Sequence, residues 1–516
     1  MTTLSLASVL AEAARRYPDK VGVVDGARRA SYAELWHQAR SYAAGLASLG
    51  IHRGGTVALL APNVLEFPWA YYGAIAAGAT VVPVHLLLTP DEVAYVLRDS
   101  HADILLCHQS QLGSGVPAAA AAGVPLVTIG PAGPAPAESA PTRLEDAAST
   151  VDALPSFVST RPDDPAVIFY TSGTTGQPKG AVLTHLNLVL NATVSAFDTN
   201  DARPTDVVLG GLPLFHTFGQ TVSMNCTFRL GGTLVLLPRF TGAEAIEVML
   251  REEVNIFHGV PTMYLGLLEA SAGRERLPAL RLCISGGASL PVAVLERFNS
   301  LFSTQIFEGY GLSETSPVAT SSQPQFGGNK PGAIGHAIWG VEVEIARAEV
   351  DERIELLPPD TLGEIVIRGH NVFAGYLDRP EATAAAMVDG WFRTGDLGTK
   401  GVDGYISIVD RKKDIVIRAG FNVYPREVEE VLARHPAVAQ VAVIGIPDET
   451  LGEEVCAVVV ADPDADPVTP ADLIAWSTEH LGRHKYPRQV RFVDELPVGP
   501  SHKVLKRELR RRFGEL

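Results

Sequence analysis

From about residue 20 to residue 300 the chain alternates short apolar runs with longer amphipathic segments. The runs at 56–60, 80–84, 104–107, 126–129, 233–237, 256–259 and 281–285 are rich in Val, Ile and Leu. Such runs suit strands buried on both faces, and strands of this kind run parallel only if a crossover segment separates them. The alternation predicts βαβ units around parallel sheets. Between about 335 and 408 the character changes. Residues 341–345 and 364–368 alternate apolar with polar, separated by Gly-containing turns, which predicts antiparallel strands in a small barrel-like unit. The last hundred residues alternate again: a helix at 425–434, strands at 441–446 and 454–460, and a helix at 471–481. Residues 131–165 are dense in Ala, Pro, Ser and Asp and read as a surface connection.

The predicted fold class is therefore α/β. A large N-terminal domain carries two parallel-type α/β subdomains and a small β-barrel, and a small α+β domain follows. A chain of 516 residues is long enough for this division. With 42 Lys+Arg against 58 Asp+Glu, the net charge of −16 disfavours nucleic acid as the main partner, since phosphate backbones need a basic face. It does not disfavour a nucleotide, which needs only a local pocket. Cys107, Cys226, Cys283 and Cys456 form no CxxC spacing and read as reduced thiols of a cytoplasmic protein. Residues 1–20 lack the basic start of a signal peptide and read as a surface helix. Residues 70–88 are uncharged, but Gly73, Gly78, Pro83 and His85 favour a buried helix and strand over a membrane span.

The most informative segment is Tyr170-Thr-Ser-Gly-Thr-Thr-Gly-Gln-Pro-Lys-Gly180, which follows an apolar strand at 166–170. Thr171, Ser172, Thr174 and Thr175 supply hydroxyls, and Gly173, Gly176 and Gly180 let backbone N–H groups close on an anion. Lys179 adds a point charge. Pro178 before that lysine and Gly180 after it exclude a Walker A loop, so the segment reads as a phosphate binder of another kind.

This string resembles the signature loop of the adenylate-forming superfamily, which includes acyl-CoA synthetases, peptide-synthetase adenylation domains and luciferases. Further strings resemble the superfamily's other motifs, in its order and over essentially the whole chain. They are Pro213-Leu-Phe-His-Thr-Phe218, Ser285-Gly-Gly-Ala288, Gly309-Tyr-Gly-Leu-Ser-Glu-Thr315, Trp391-Phe-Arg-Thr-Gly-Asp396, Asp410-Arg-Lys-Lys-Asp414, Gly420-Phe-Asn-Val-Tyr-Pro-Arg-Glu-Val-Glu429 and Leu496-Pro-Val-Gly-Pro-Ser-His-Lys503.

The resemblance implies a set of roles. Gly287, Ala288, Glu308, Gly309, Tyr310, Gly311 and Ser313 would line the adenine end, where the Tyr310 ring offers a face for stacking. Asp396 and Arg411 would hold the ribose. Glu314 would carry Mg²⁺, with Thr175 as a second ligand, because a carboxylate beside a triphosphate needs a cation between them. His216 would gate the passage between nucleotide and carboxylate. Phe218, Val260, Thr262, Met263, Gly286 and Val318 would line the acyl pocket. Lys503 would be the catalytic cation, although His502 stands where relatives carry Gly. Lys413 would be the hinge of a mobile C-terminal domain, giving domains at 1–410 and 411–516. Arg418 and Gly420 would face the coenzyme A thiol.

The implied reaction has two halves. A carboxylate is adenylated by Mg-ATP with loss of pyrophosphate, and the thiol of coenzyme A then displaces AMP. Phe215-His216 carries no acid to meet an amino acid's ammonium, and 315–320 carries no Arg or Lys to pair a second carboxylate. The expected substrate is an apolar monocarboxylate, fatty or aryl. An acyl-AMP ligase loading an acyl carrier protein and a luciferase-like oxygenase stay as alternatives. The sequence leaves a homodimer open.

Overall fold

The computed structural model describes residues 2–131, 141–171, 177–322, 328–330, 332–463, 465–498 and 504–514. Two large sheets dominate it. In spatial order the nine-stranded sheet runs His336–Ala337, Val318–Ser321, Ile306–Gly311, Leu282–Ser285, Ile256–Gly259, Val207–Gly210, Thr233–Leu236, Val21–Asp25 and Arg28–Ser31. The seven-stranded sheet runs Gly375–Tyr376, Lys179–Thr184, Pro165–Thr171, Thr80–Pro83, Thr56–Leu60, Ile104–His108 and Leu126–Ile129. Their central pairings are parallel, as the apolar runs predict, and antiparallel strands close the edges.

Side-chain alternation on these strands divides the interior into three layers. Val57, Leu59 and Val81 of one sheet face Val208, Leu234, Ile256 and Ile284 of the other in one core. Helices Ala7–Arg16, Tyr32–Ser48 and Glu66–Ala76 fill the space between. Phe257 and Cys283 point the other way, onto helices Gly242–Arg251, Pro261–Ala270 and Val292–Phe302. Leu105 and Cys107 point onto Pro90–Asp99 and Leu112–Ala122. The result is five layers, α-β-α-β-α.

Two expectations change here. The N-terminal helix is not a surface element, since Leu6, Val9, Leu10 and Ala13 are buried in the central core. The stretch after residue 140 is more than a surface connection. It contains helix Leu144–Ser149, whose Leu144 is fully buried and whose Glu145 accepts from Tyr42 at 2.6 Å. Residues 132–140 lie outside the described residues. The uncharged 70–88 stretch resolves into a buried helix end and the strand Thr80–Pro83. Among the described residues no helix is long and apolar enough to cross a membrane.

The antiparallel unit is an open half-barrel of five strands. Val341–Ala346, Gly363–Gly369, Trp391–Lys400 and Met387–Val388 run in order, and Ile406–Arg411 pairs with the third. The small C-terminal domain has its own five-stranded sheet, built on the long hairpin Val438–Asp448 and Gly452–Ala461. Its core of Val416, Val428, Val443, Val455, Leu473 and Val490 is separate from the others. The basic helix Lys506–Phe513 is not simply solvated. Leu509 is buried, Lys506 pairs with Glu429 at 2.7 Å and Arg510 with Asp414 at 3.1 Å.

Candidate active site

Strands Pro165–Thr171 and Lys179–Thr184 form an antiparallel hairpin in which Thr171 stands opposite Lys179. The phosphate loop bridges these two residues. Its Ser172, Gly173, Thr174, Thr175 and Gly176 lie outside the described residues, but its flanks are well braced. The Tyr170 hydroxyl donates to Asp99 Oδ2 at 2.8 Å, and the Tyr95 hydroxyl donates to the Pro178 carbonyl at 2.9 Å. Arg379 donates to Asp99 Oδ1 at 2.6 Å. Asp99 therefore connects the incoming strand and the segment after Tyr376, while Tyr95, one helical turn before it, holds the outgoing side.

The short turn Ser313–Thr315 brings Glu314 to this hairpin. Glu314 is buried, and its Oε1 accepts from Thr171 Oγ1 at 3.4 Å and from the Tyr376 hydroxyl at 2.9 Å. Lys179 Nζ lies 5.3 Å from the centroid of the Tyr376 ring. Tyr376 thus links the candidate cation ligand to the candidate phosphate lysine. Sequence reasoning missed it, although Gly375-Tyr376 pairs antiparallel with Ala181 and Val182 of the hairpin. Carboxylate and hydroxyl oxygens are the hard donors that Mg²⁺ takes, so the Glu314 and Thr171 pair fits that ion. A hollow of about 390 Å³ adjoining Tyr376, lined by Val182, Gly375, Pro380, Thr383 and Met387, carries no ionised group.

On the half-barrel, Asp396 and Arg411 are direct cross-strand neighbours. Arg411 Nε lies 3.2 Å from Asp396 Oδ1, and the Tyr310 hydroxyl donates to Asp396 Oδ2 at 2.7 Å. The adenine and ribose candidates are therefore one constellation, with the Tyr310 ring pinned by its hydroxyl. The turn ahead of Asp396 is held from beneath. Glu364, 2% exposed, accepts from the Gly395 N–H at 3.0 Å and from Arg393 Nε at 3.1 Å. Gly311 permits the close return of the chain, since a Cβ there would fall 1.7 Å from the Pro317 carbonyl oxygen. Gly287 and Ala288 are exposed at the end of strand Leu282–Ser285, and Gly309 and Ser313 lie half-buried beside Tyr310.

Glu308, expected at the adenine end, lies in the buried part of strand Ile306–Gly311. It is 6% exposed, and its Oε1 has no hydrogen-bond partner among the described residues. Burial raises its pKa to about 7, against the opposing pull of Arg426 from the small domain.

The His216 ring accepts the Phe218 N–H at Nδ1, at 3.2 Å, and so caps the start of the π-helix Phe218–Asn225. Phe218 packs against Gly286, where a Cβ would lie 3.2 Å from its ring. Val260 is buried and Val318 half-buried, while Thr262 is exposed and Met263 is turned into the outer core.

The coenzyme A side needs a different account. Arg418 is committed to Glu454 in a fork, with Nε at 2.6 Å and Nη2 at 3.0 Å. Ala419 and Gly420, at φ +50° and +80°, form a two-residue turn between Val416–Arg418 and Phe421–Val423. Both residues have positive φ, as a type I′ hairpin turn requires. Gly420 therefore has a folding reason of its own. A Cβ there would meet nothing within 4 Å. Lys413 sits in an exposed turn directly after strand Ile406–Arg411. Lys503 lies outside the described residues.

Comparison with known proteins identifies the family. The family description "AMP-binding enzyme" matches residues 10–377, and "AMP-binding enzyme C-terminal domain" matches 427–503. The chain belongs to the AMP-binding enzymes, the adenylate-forming superfamily, on its acyl-CoA ligase branch. A long-chain-fatty-acid–CoA ligase of Bacillus subtilis is 34% identical, over 98% of this chain and 94% of its own length. A feruloyl-CoA synthase of Amycolatopsis is 36% identical, over 97% of both chains. The ATP-bound crystal structure of MatB from Rhodopseudomonas palustris superposes with a TM-score of 0.89, at 33% identity and 99% coverage of both chains.

Proposed function

We propose that this protein is an ATP-dependent, AMP-forming ligase that joins an apolar monocarboxylate, fatty or aryl, to coenzyme A. The observation that carries the reading is that Glu314 accepts from both Thr171 and Tyr376 while Lys179 lies over the Tyr376 ring, together with the Tyr310–Asp396–Arg411 constellation. The relatives that act on a long-chain fatty acid and on a feruloyl group support an apolar acyl pocket.

In the first half-reaction the substrate carboxylate oxygen attacks the α-phosphorus of ATP, the bond to the β-phosphate oxygen breaks, and pyrophosphate leaves. Lys179 and the loop hydroxyls meet the phosphates, Asp396 accepts from the ribose hydroxyls, and the Tyr310 ring carries the adenine. Mg²⁺ held by Glu314, with Thr175 of the loop, would supply charge neutralisation at the phosphates. Lys503 stabilises the charge that grows at the α-phosphate. In the second half-reaction the thiol sulfur attacks the acyl carbonyl, and the bond to the AMP oxygen breaks. On this reading the chain divides at 1–410 and 411–516, and rotation near Lys413 exchanges the Lys503 face for the Gly420 face. Four buried, unpaired thiols suit a cytoplasmic enzyme.

The test is pyrophosphate release and thioester formation with fatty and aryl acids, with and without coenzyme A. Lys503→Ala should abolish adenylate formation yet convert supplied acyl-AMP to thioester. Pyrophosphate release near the wild-type rate in that variant overturns the lysine's role. A product that appears only with a carrier protein's pantetheine thiol, and not with coenzyme A, overturns the choice of acceptor.

A further inference from the structure

His258 is the third residue of the run at 256–259, on the face of its strand that meets the π-helix. Its neighbours on that face are Ile256 and, on the adjacent strand, Ile284, both in the central core. A histidine at such a position is unexpected, because the run otherwise packs as continuous apolar strand. The side chain is 1% exposed. Nδ1 shares a 3.1 Å hydrogen bond with Ser223 Oγ, and Ser223 is itself fully buried. Nε2 has no hydrogen-bond partner among the described residues.

The π-helical repeat places Ser223 on the same face as Phe218 and Val222, since residues four and five apart align there. Of the segment's other polar residues, Gln220 Nε2 donates to the Leu214 carbonyl and Asn225 Oδ1 accepts from Tyr72, while Gln220 Oε1, Thr221 Oγ1 and Asn225 Nδ2 are buried without a partner among the described residues, as His258 Nε2 is. Phe218 closes on Gly286, whose N–H donates to the carbonyl of Gly259, the residue after His258. The Ser223–His258 pair thus lies next to the candidate acyl wall of Phe218 and Gly286.

We propose that Ser223 and His258 form the polar end of the acyl pocket and recognise a neutral oxygen, a hydroxyl or ketone, borne by the acid away from its carboxylate. The inference rests on the ligase reading above and narrows its substrate class to oxygenated apolar acids. If Ser223 donates to Nδ1, Nε2 carries the proton and donates to a carbonyl or hydroxyl oxygen. In the other tautomer Nε2 accepts from a hydroxyl. A second carboxylate on the acid would find no cation there, because burial lowers the His258 pKa to about 3 and the ring is neutral at physiological pH. A buried polar group that a deoxy acid leaves unpaired discriminates against that acid more strongly than added apolar contact favours it.

The experiment compares kcat/KM for matched acids: octanoate against its monohydroxy and mono-oxo forms, and cinnamate against hydroxycinnamates. At least one oxygenated acid should exceed its parent by about tenfold or more. His258→Leu should bring that ratio to near unity, and Ser223→Ala, which removes only the hydroxyl, should lower it several-fold. A purely structural role for the pair would depress both acids equally and leave the ratio unchanged. Wild-type enzyme that favours every deoxy parent, or a ratio untouched in both variants, overturns the inference while leaving the ligase reading intact. Failure to form acyl-CoA from any acid overturns both.

Discussion

The Tyr376 hydroxyl donates to Glu314 Oε1 at 2.9 Å while the same ring lies 5.3 Å from Lys179 Nζ. One side chain therefore fixes the spacing between a carboxylate and a cation that arrive from distant parts of the sequence. Its two functions can be separated. Tyr376→Phe keeps the ring and loses the donor to an ionised acceptor, a contact of about 1.5–3 kcal/mol. The KM for Mg-ATP should rise roughly tenfold, with a smaller change in kcat. Tyr376→Leu, which loses both contacts, should be worse in steady-state kinetics. Equal values for Tyr376→Phe and wild type would exclude the hydroxyl from nucleotide binding.

Asp99 braces the phosphate loop without belonging to it. It accepts from Tyr170 and Arg379, and Tyr95 reaches Pro178 from the same helix. Asp99→Ala leaves the Tyr170 hydroxyl and Arg379 without their acceptor. Weaker ATP binding by calorimetry, by about 1–2 kcal/mol, is the expected result, with acid and thiol KM values little changed. A uniform loss across all three substrates would point to global damage instead.

The Glu308 carboxyl sets a pH dependence of stability. Its pKa is raised from 4.5 to about 7. Below about pH 4.5 both folded and unfolded chains hold the proton. Between there and about pH 7 only the unfolded chain releases it, so stability falls as pH rises, and above 7 the deficit is constant. Glu308→Gln removes this loss. The variant should be more stable than wild type at pH 8, by at most about 3 kcal/mol, with the gap closing towards pH 5. Chemical denaturation at both pH values reads the difference, and parallel curves would contradict the assignment.

Gly420 can be tested for two roles at once. Its φ of +80° sits in a type I′ turn, so Gly420→Ala should cost about 1–2 kcal/mol of stability through backbone strain. Gly420→Asn tolerates the turn while adding a side chain. If the coenzyme A arm passes here, that variant should melt near wild type, adenylate normally and form thioester about tenfold more slowly. Normal thioester formation would leave the turn as the residue's whole purpose.

The apolar runs made the parallel sheets legible, because a strand covered by helices on both faces has little choice of composition. The phosphate hairpin, Glu314, Tyr310 and Asp396 were legible as motifs, each local in sequence. Tyr376, Asp99 and Ser223–His258 were not, since each acts through a partner far along the chain: 62 residues separate Tyr376 from Glu314, 71 separate Asp99 from Tyr170, and 35 separate Ser223 from His258. Helix Leu144–Ser149 escaped for another reason: its six residues are too few to display a period, and tertiary packing supplies its stability. Arg418 read as a ligand contact because nothing nearby in sequence announced Glu454 as its partner.

The ion pairs Lys506–Glu429 and Arg510–Asp414 both lie wholly on the C-terminal side of Lys413. Asp414 is the first residue past the proposed pivot, and Arg510 clamps it to the last helix. A rotation at Lys413 would then break neither pair, and the C-terminal lobe would turn as a stiff lever with its fulcrum one residue from its own lock. In the sequence, Lys503 falls between strand Gln489–Phe492 and the clamped helix Lys506–Phe513. The lobe's travel would be set by the backbone angles of one residue.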